Sequence, residues 1–197
     1  MVSRQLLSMS LRPQMVATML VAALGALVAA SNAACGDDVA AYSATISLKL
    51  SGLKDGDIIA GNASEDMSIN TEEGNPYGDF LKAAKSRLGR DPGAIEVTSV
   101  IVKVHPDSKD VATLDQVFDD LEVYLSTSET VITIGSVSSV SGSTQTVPVK
   151  DNIDYEPVFD RMLDGNFKMG IRGKTVSSPP ASFDLKLVLD VKFRALE

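Results

Sequence analysis

Hydrophobic and polar residues alternate with a period of two along much of the chain, and this pattern predicts β-strands with one buried face. The segment near the C-terminus shows the alternation most clearly. Its apolar face consists of Phe183, Leu185, Leu187, Leu189, Val191 and Phe193. Residues 45–51 repeat the pattern with Ile46, Leu48 and Leu50. Strands with one solvated face are typical of antiparallel sheets packed on one side, so we expect such a sheet.

Five further segments predict strands because they alternate or carry short apolar runs. They span residues 95–104, 121–126, 131–140, 144–149 and 167–172. In the first of these the apolar positions change parity, which predicts a β-bulge near Thr98 and Ser99. The sequence Ser141-Gly142-Ser143 joins the third and fourth segments and predicts a hairpin. We therefore expect about seven strands.

Two short helices are predicted between the strands. The first begins near Asn75-Pro76 and ends at Gly89, a residue typical of helix C-termini. Its apolar stripe consists of Phe80, Leu81, Ala84 and Leu88. The second begins near Pro157 after a capping Asp154 and ends at Gly165. Its apolar face consists of Val158, Phe159, Met162 and Leu163.

These elements predict the fold class. Many strands, little helix and no β-α-β rhythm indicate a mainly β protein, and we expect residues 43–197 to form an antiparallel immunoglobulin-like β-sandwich with one or two short helices. The chain contains no Trp and one Cys, so the core Trp and the disulfide of antibody domains are missing from it. A domain of this length buries a sufficient core without disulfides or metal.

The first 34 residues follow a different pattern. Arg4 and Arg12 precede an apolar run over residues 15–30, and the small residues Ser31-Asn32-Ala33-Ala34 follow it. A basic region, a short apolar region and a small-residue cleavage site predict a secretory signal peptide over residues 1–34. The run is shorter than the ~20 residues of a membrane-spanning helix. The alternative is an uncleaved signal anchor that extends through the polar Ser31 and Asn32.

Cys35 is the only cysteine and follows the signal peptide directly. A lone Cys in an exported protein cannot form an internal disulfide, so it is free, bridged to another chain or modified. Its position after Ala33-Ala34 resembles the lipobox of bacterial lipoproteins, with a departure at Asn32, where an aliphatic residue is usual. The resemblance implies that Cys35 carries diacylglycerol and an acyl chain such as palmitate, and that residues 35–42 form a tether. Ordinary signal-peptidase cleavage after Ala33 is the alternative.

A second resemblance covers residues 119–196. It consists of the strand around Tyr124, a Ser- and Gly-rich connection, Val147-Pro148-Val149, the turn capped by Asp154, and a Pro-Pro turn into the closing strand. This order is similar to the β-sandwich domains of lipid-anchored exported bacterial proteins of uncharacterised function. The resemblance implies a β-sandwich in the cell envelope, and it implies no particular activity.

The charge of the mature chain restricts its partners. Removal of the leader takes two of the 18 basic residues and none of the 26 acidic ones, which leaves a net charge near −10. Such a surface repels phosphate backbones, so nucleic-acid binding is not expected. It also opposes docking on anionic lipid. We therefore expect lipid chains alone to hold the protein at a membrane, and the charge to keep its soluble domain monomeric.

No residue set predicts catalysis or a cofactor. His105 is the only histidine and stands beside a proline, as in a loop, so a catalytic triad or a histidine-rich metal site is not expected. Acidic residues cluster at four places, but none has the spacing of a calcium loop. These places are Asp55-Gly56-Asp57, Glu65-Asp66, Asp107 with Asp110, and Asp119-Asp120. A basic patch on the first helix suits the helix dipole. It consists of Lys82, Lys85, Arg87 and Arg90.

The sequence favours a non-enzymatic cell-envelope lipoprotein, anchored through Cys35 in the outer membrane, whose sandwich serves as an interaction, assembly or adhesion module for an envelope partner. The alternative is a secreted or periplasmic hydrolase or small-ligand carrier with a pocket made of scattered residues. A concave pocket with converging polar groups would favour the alternative. An exposed apolar patch or an open sheet edge would favour the module.

Overall fold

The computed structural model describes residues 40–197. The predicted signal peptide, Cys35 and most of the predicted tether lie outside the described residues. The first strand begins at Ala41, so the last two tether residues, Ala41 and Tyr42, belong to the sheet. Within residues 40–197, neither helix has the length and apolar character needed to cross a membrane.

The described part contains eight strands and two α-helices. The strands are β1 (Ala41–Lys54), β2 (Asn62–Ile69), β3 (Ala94–Val104), β4 (Leu121–Ser126), β5 (Val131–Val137), β6 (Thr144–Val147), β7 (Phe167–Lys174) and β8 (Asp184–Leu196). The helices are α1 (Pro76–Leu88) and α2 (Glu156–Asp164). Two single 3₁₀ turns, Asp55–Asp57 and Leu114–Gln116, lie in the connections.

The strands form two four-stranded antiparallel sheets. Sheet A has the order β1-β8-β3-β6, and sheet B has the order β2-β7-β4-β5. The first strand pairs with the last, the second with the seventh, the third with the sixth and the fourth with the fifth. The eight described strands thus pair as in one long hairpin that is folded over to form two sheets. This is the arrangement of an eight-stranded jelly roll.

The predicted mainly β antiparallel sandwich is confirmed, and its immunoglobulin-like type is corrected. Immunoglobulin domains place strands 1, 2, 5 and 4 in one sheet and strands 3, 6 and 7 in the other. Here only β4 and β5 are both consecutive in sequence and paired, and every other connection crosses between the sheets. Alternation along a strand fixes which face is buried but not which strand lies beside it, so the sequence could not distinguish the two topologies.

The predicted hairpin around Ser141-Gly142-Ser143 is wrong for the same reason. β5 pairs with β4 in sheet B, whereas β6 pairs with β3 in sheet A. The Ser-Gly-Ser segment therefore crosses from one sheet to the other. The two segments are bridged just after β6, where Gly135 forms an isolated bridge with Val149.

Other predicted elements agree with the structure in detail. The β3–β8 pairing shifts register between Val97 and Ser99, as expected of the predicted bulge. Asn75 caps α1 by accepting a hydrogen bond from the backbone N–H of Tyr77 at 2.9 Å. Gly89 and Gly165 end the helices in the left-handed region, with φ of 76° and 62°. β2 was not predicted.

The core lies between the sheets, and the predicted inward face of β8 is completely buried in it. All six alternating residues from Phe183 to Phe193 are at most 1% exposed. At the end covered by α1, Tyr77 places its ring 5.0 Å from that of Phe167 in sheet B and 5.1 Å from that of Phe193 in sheet A. α1 therefore closes this end of the sandwich with aromatic contacts to both sheets.

Candidate functional site

The outer face of sheet B is polar because of the same alternation that builds the core. In β4, Leu121, Val123 and Leu125 point inward and are at most 1% exposed, so the intervening residues point outward. The strand registers align the outward residues of the three strands β2, β7 and β4. We call this set the sheet B face. It consists of Ser64, Asp66, Ser68, Lys168, Gly170, Arg172, Glu122, Tyr124 and Ser126.

A glycine occupies the centre of the sheet B face. Gly170 of β7 is in register with Asp66 on one side and Tyr124 on the other. The Tyr124 side chain reaches across β7, and its hydroxyl donates a 3.2 Å hydrogen bond to Asp66 Oδ2. A Cβ atom at position 170 would lie 2.5 Å from the carbonyl oxygen of Glu65 and 2.7 Å from Asp66 Cβ. The close approach of β2 to β7 therefore requires glycine at this position.

The charged groups of the sheet B face are paired with one another. Arg172 Nε donates to Glu122 Oε1 at 2.6 Å, and a second guanidinium nitrogen also contacts that oxygen. The Arg172 guanidinium carbon lies 5.3 Å from the centre of the Tyr124 ring, within cation–π range. Lys168 Nζ lies 2.9 Å from Asp66 Oδ1. Two cations thus balance two carboxylates on this face.

The environment of Tyr124 keeps its hydroxyl protonated. Burial, the negative charge of Asp66 and its hydrogen bond together raise the pKa of Tyr124 to about 12, against a lowering effect of Arg172. The side chain is only 8% exposed. Tyr124 therefore acts at neutral pH as a fixed hydrogen-bond donor to Asp66. The hydroxyl is therefore not ionised to a nucleophilic phenolate at neutral pH.

Two clefts lie over the sheet B face. One, of about 640 Å³, extends from Asp66 and Tyr124 to the β4–β5 turn at Thr127 and Ser128. The other, of about 630 Å³, extends toward the β1–β2 loop. Its far lining residues are Asp57, Ile59, Asn62, Asp120 and Lys174. Ser64 and Arg172 line both clefts, which therefore adjoin. We call the two clefts together the sheet B groove.

The groove carries exposed apolar side chains at its two ends. In the described part of the chain, two large hydrophobic residues are strongly exposed, Ile59 at 77% and Val131 at 54%. Ile59 lines one cleft and Val131 lines the other. Single exposed hydrophobic residues are common on protein surfaces. Here, however, both of them lie in the same groove.

Of the residues singled out in the sequence, Asp57, Asp66 and Asp120 line the sheet B groove, and the others lie elsewhere. His105 follows β3, and its Nδ1 accepts a 3.1 Å hydrogen bond from the backbone N–H of Asp107, as expected of a loop residue. Asp57 accepts from the backbone N–H of Lys54 at 2.8 Å, which is a local turn contact. Within residues 40–197, no group of three or more His, Cys, Asp or Glu residues is arranged to hold a metal ion.

The basic patch on α1 is partly paired with acidic groups nearby. Lys85 Nζ lies 2.9 Å from Asp91 Oδ1, and Arg90 Nη2 lies 2.9 Å from Glu197 Oε1. All four of these side chains are at least 44% exposed, so the pairs contribute little to stability. This arrangement agrees with a structural role for the patch.

The sheet B face was not found from the sequence. Asp66 belongs to β2, which the sequence pattern does not predict, and Tyr124 and Arg172 occupy the polar side of two predicted strands. The alternation of Ser64, Asp66 and Ser68 with Ala63, Met67 and Ile69 was the available signal, but Glu65 interrupts its apolar side. Glu65 accepts a hydrogen bond from Ser51 of β1, which explains how a carboxylate fits at that position.

Comparisons with known proteins add little. No protein-family model matches the chain, and no curated protein is significantly similar to it. A solved structure of a chain of turnip yellow mosaic virus is similar at 16% sequence identity, over 81% of this chain and 94% of that chain, with a TM-score of 0.29. A likeness at that TM-score supports no statement about the function of this protein.

Proposed function

We propose that this chain is a non-enzymatic lipoprotein of the bacterial cell envelope, exported by residues 1–34 and anchored through Cys35. Its jelly roll serves as an interaction module, with the sheet B groove as the recognition surface. The anchor is supported by the sequence pattern alone: a basic region, a short apolar run and a single Cys after two alanines. The observation that carries the module is the groove, which is open, has charged and polar groups at its centre and is lined toward both ends by exposed apolar residues.

The contacts inside the groove favour binding over catalysis. The two central carboxylates of the groove are already engaged by neighbouring side chains, as expected of a fixed recognition surface. Glu122 is held by Arg172 and also accepts a 3.0 Å hydrogen bond from Thr133. Asp66 is held by Tyr124 and Lys168. These carboxylates act as fixed elements of a rigid surface.

A small-ligand carrier is the second candidate. It is favoured by the convergence of Asp66, Tyr124 and Arg172 on adjoining clefts, since converging polar groups are typical of ligand sites. A carrier would use the same groove and differ from an anchored module chiefly in being released from the membrane. The state of Cys35 therefore separates the two.

The proposed anchor is tested by metabolic labelling with a fatty-acid analogue. We expect label in the wild-type protein and none in Cys35→Ser, with the wild type in the outer-membrane fraction. Equal label in both proteins would rule out Cys35 as the lipidation site. An unlabelled wild type recovered in the soluble fraction would favour the carrier.

A further inference from the structure

We propose that the sheet B groove binds a neutral, polyhydroxylated chain, that is, a glycan without net charge. The inference deepens the proposed function as an interaction module, and it does not depend on whether Cys35 carries a lipid. It rests on three properties of the groove: its length, its internal charge balance and the placement of its apolar side chains.

The groove is long enough for an oligosaccharide. It follows β2 from Asn62 to Ser68, a span of roughly 20 Å at about 3.4 Å per residue in an antiparallel strand. Both clefts open to solvent along this line, with Arg172 between them. A linear ligand can therefore lie along the strands and contact Arg172 near its middle, whereas a single sugar ring would fill only part of the groove.

The charges of the groove disfavour anionic ligands, and the central ones are paired with one another. Arg172 is paired with Glu122, and Lys168 is paired with Asp66. The whole groove is lined by four carboxylates and three cations, so it carries a slight excess of negative charge that disfavours anions. The carboxylates belong to Asp57, Asp66, Asp120 and Glu122, and the cations to Lys168, Arg172 and Lys174. The net charge of the mature chain, near −10, repels anions at longer range. A neutral ligand can hydrogen-bond to these groups without separating the pairs.

The polar lining matches hydroxyl groups. Besides the paired charges, the groove offers side-chain hydroxyls and amides that both donate and accept hydrogen bonds. They belong to Asn62, Ser64, Ser68, Ser128 and Asn166. Sugar hydroxyls have the same dual character. The guanidinium of Arg172 has five N–H donors, of which the contacts with Glu122 use only part, so others remain for ligand hydroxyls.

The apolar side chains are placed differently from those of a protein interface. Protein–protein interfaces concentrate apolar anchors at the centre and polar groups at the rim. Here the centre is polar, and the exposed Ile59 and Val131 lie toward opposite ends. That arrangement suits the apolar C–H surfaces of terminal sugar rings. It therefore favours a glycan over a protein partner.

The test uses the purified full chain in detergent and isothermal titration with cellohexaose, chitohexaose and maltohexaose, with polygalacturonate as an anionic probe. We expect at least one neutral hexasaccharide to bind. Arg172→Ala should weaken that binding at least about tenfold, the loss of a hydrogen bond to a charged group. Val131→Ser should weaken it by a smaller factor. Lys192→Ala, in β8 of the opposite sheet, is the matched control and should bind as the wild type does.

The thermal midpoint of each variant is measured first, and Arg172→Lys replaces Arg172→Ala if the alanine variant is unfolded. Binding of none of the three neutral probes would overturn the proposal, as would binding of polygalacturonate alone or neutral binding equal in wild type and the Arg172 variant. Fatty-acid label on Cys35 without oligosaccharide binding would contradict this inference and leave the anchor standing. Oligosaccharide binding without fatty-acid label on Cys35 would support this inference and contradict the anchor.

Discussion

The hydroxyl of Tyr124 in β4 and a carboxylate oxygen of Asp66 in β2 lie 3.2 Å apart, although 58 positions separate the two residues in sequence. β7 runs between their strands, with Gly170 in register with both. The hydrogen bond thus joins two strands that are not neighbours in the sheet. It forms because the outward position of the intervening strand carries no side chain.

Gly170→Ala should therefore destabilise the domain. The added Cβ would lie 2.5 Å from the carbonyl oxygen of Glu65, so β2 must move away from β7. We expect the free energy of unfolding to fall by about 1–3 kcal/mol, as for other overpacked sites. Gly56→Ala is the control, because a Cβ there has no neighbour within 4 Å. Equal stabilities of the two variants in urea denaturation would contradict the close approach of β2 and β7.

The two faces of β8 should respond differently to truncation. Leu187 is 1% exposed in the core, so Leu187→Ala should lower the free energy of unfolding by roughly 2–5 kcal/mol. The neighbouring Lys186 points to the opposite face, and Lys186→Ala should cost less than ~1 kcal/mol. Chemical denaturation of both variants measures the difference. Similar losses would mean that the register of β8 is wrong.

Tyr77 carries a buried hydroxyl without a hydrogen-bond partner among the described residues. Its side chain is 0% exposed, and burial raises the pKa of Tyr77. Tyr77→Phe removes the unsatisfied group and keeps the aromatic contacts, so the free energy of unfolding should rise by about 1 kcal/mol.

Tyr155→Phe is the matched control, since the Tyr155 hydroxyl accepts a 3.1 Å hydrogen bond from the backbone N–H of Val97. Its loss should lower the free energy of unfolding by about 1 kcal/mol. Urea denaturation of both variants shows whether each substitution raises or lowers the free energy of unfolding. A loss of stability in Tyr77→Phe as large as that in Tyr155→Phe would show that the Tyr77 hydroxyl has a partner.

Alkaline pH should destabilise the domain partly through Tyr124. Its ordinary pKa is 10.0, and burial together with Asp66 raises the pKa to about 12 in the folded state. Between these values the unfolded chain has released the proton while the native state retains it, so stability falls as pH rises from about 10 to about 12. Tyr124→Phe lacks this contribution. We expect its unfolding free energy, followed from pH 9 to 12, to fall less steeply than that of the wild type; parallel curves would contradict the raised pKa.

The strands that could be predicted from sequence are those whose alternation is uninterrupted. β8 and β4 carry apolar residues at every inward position, and both helices carry a stripe between a cap and a glycine. β2 was missed because Glu65 occupies an inward position at the edge of sheet B. Its hydrogen bond with Ser51 of β1 satisfies the carboxylate, but that contact exists only once the sheets are assembled.

The strand order of the two sheets and the sheet B groove depend on contacts between segments that are distant in sequence. The periodicity of hydrophobic residues carries no information about such contacts. The pairing of β1 with β8 joins Ala41 to Leu196, and no local pattern specifies it. Asp66, Tyr124 and Arg172 likewise come from three separate strands and meet only through the order of sheet B. Each of these residues appears locally as an ordinary solvent-facing strand position. The sheet B groove is therefore visible only in the assembled fold.

The intact mass of the protein extracted from membranes tests the central claim most directly, because it reports the cleavage site and the modification together. We expect a chain that begins at Cys35, with added mass equal to diacylglycerol and one further acyl chain, and no such species in Cys35→Ser. An unmodified chain that begins at Ala34, as ordinary cleavage after Ala33 would produce, would contradict the lipid anchor.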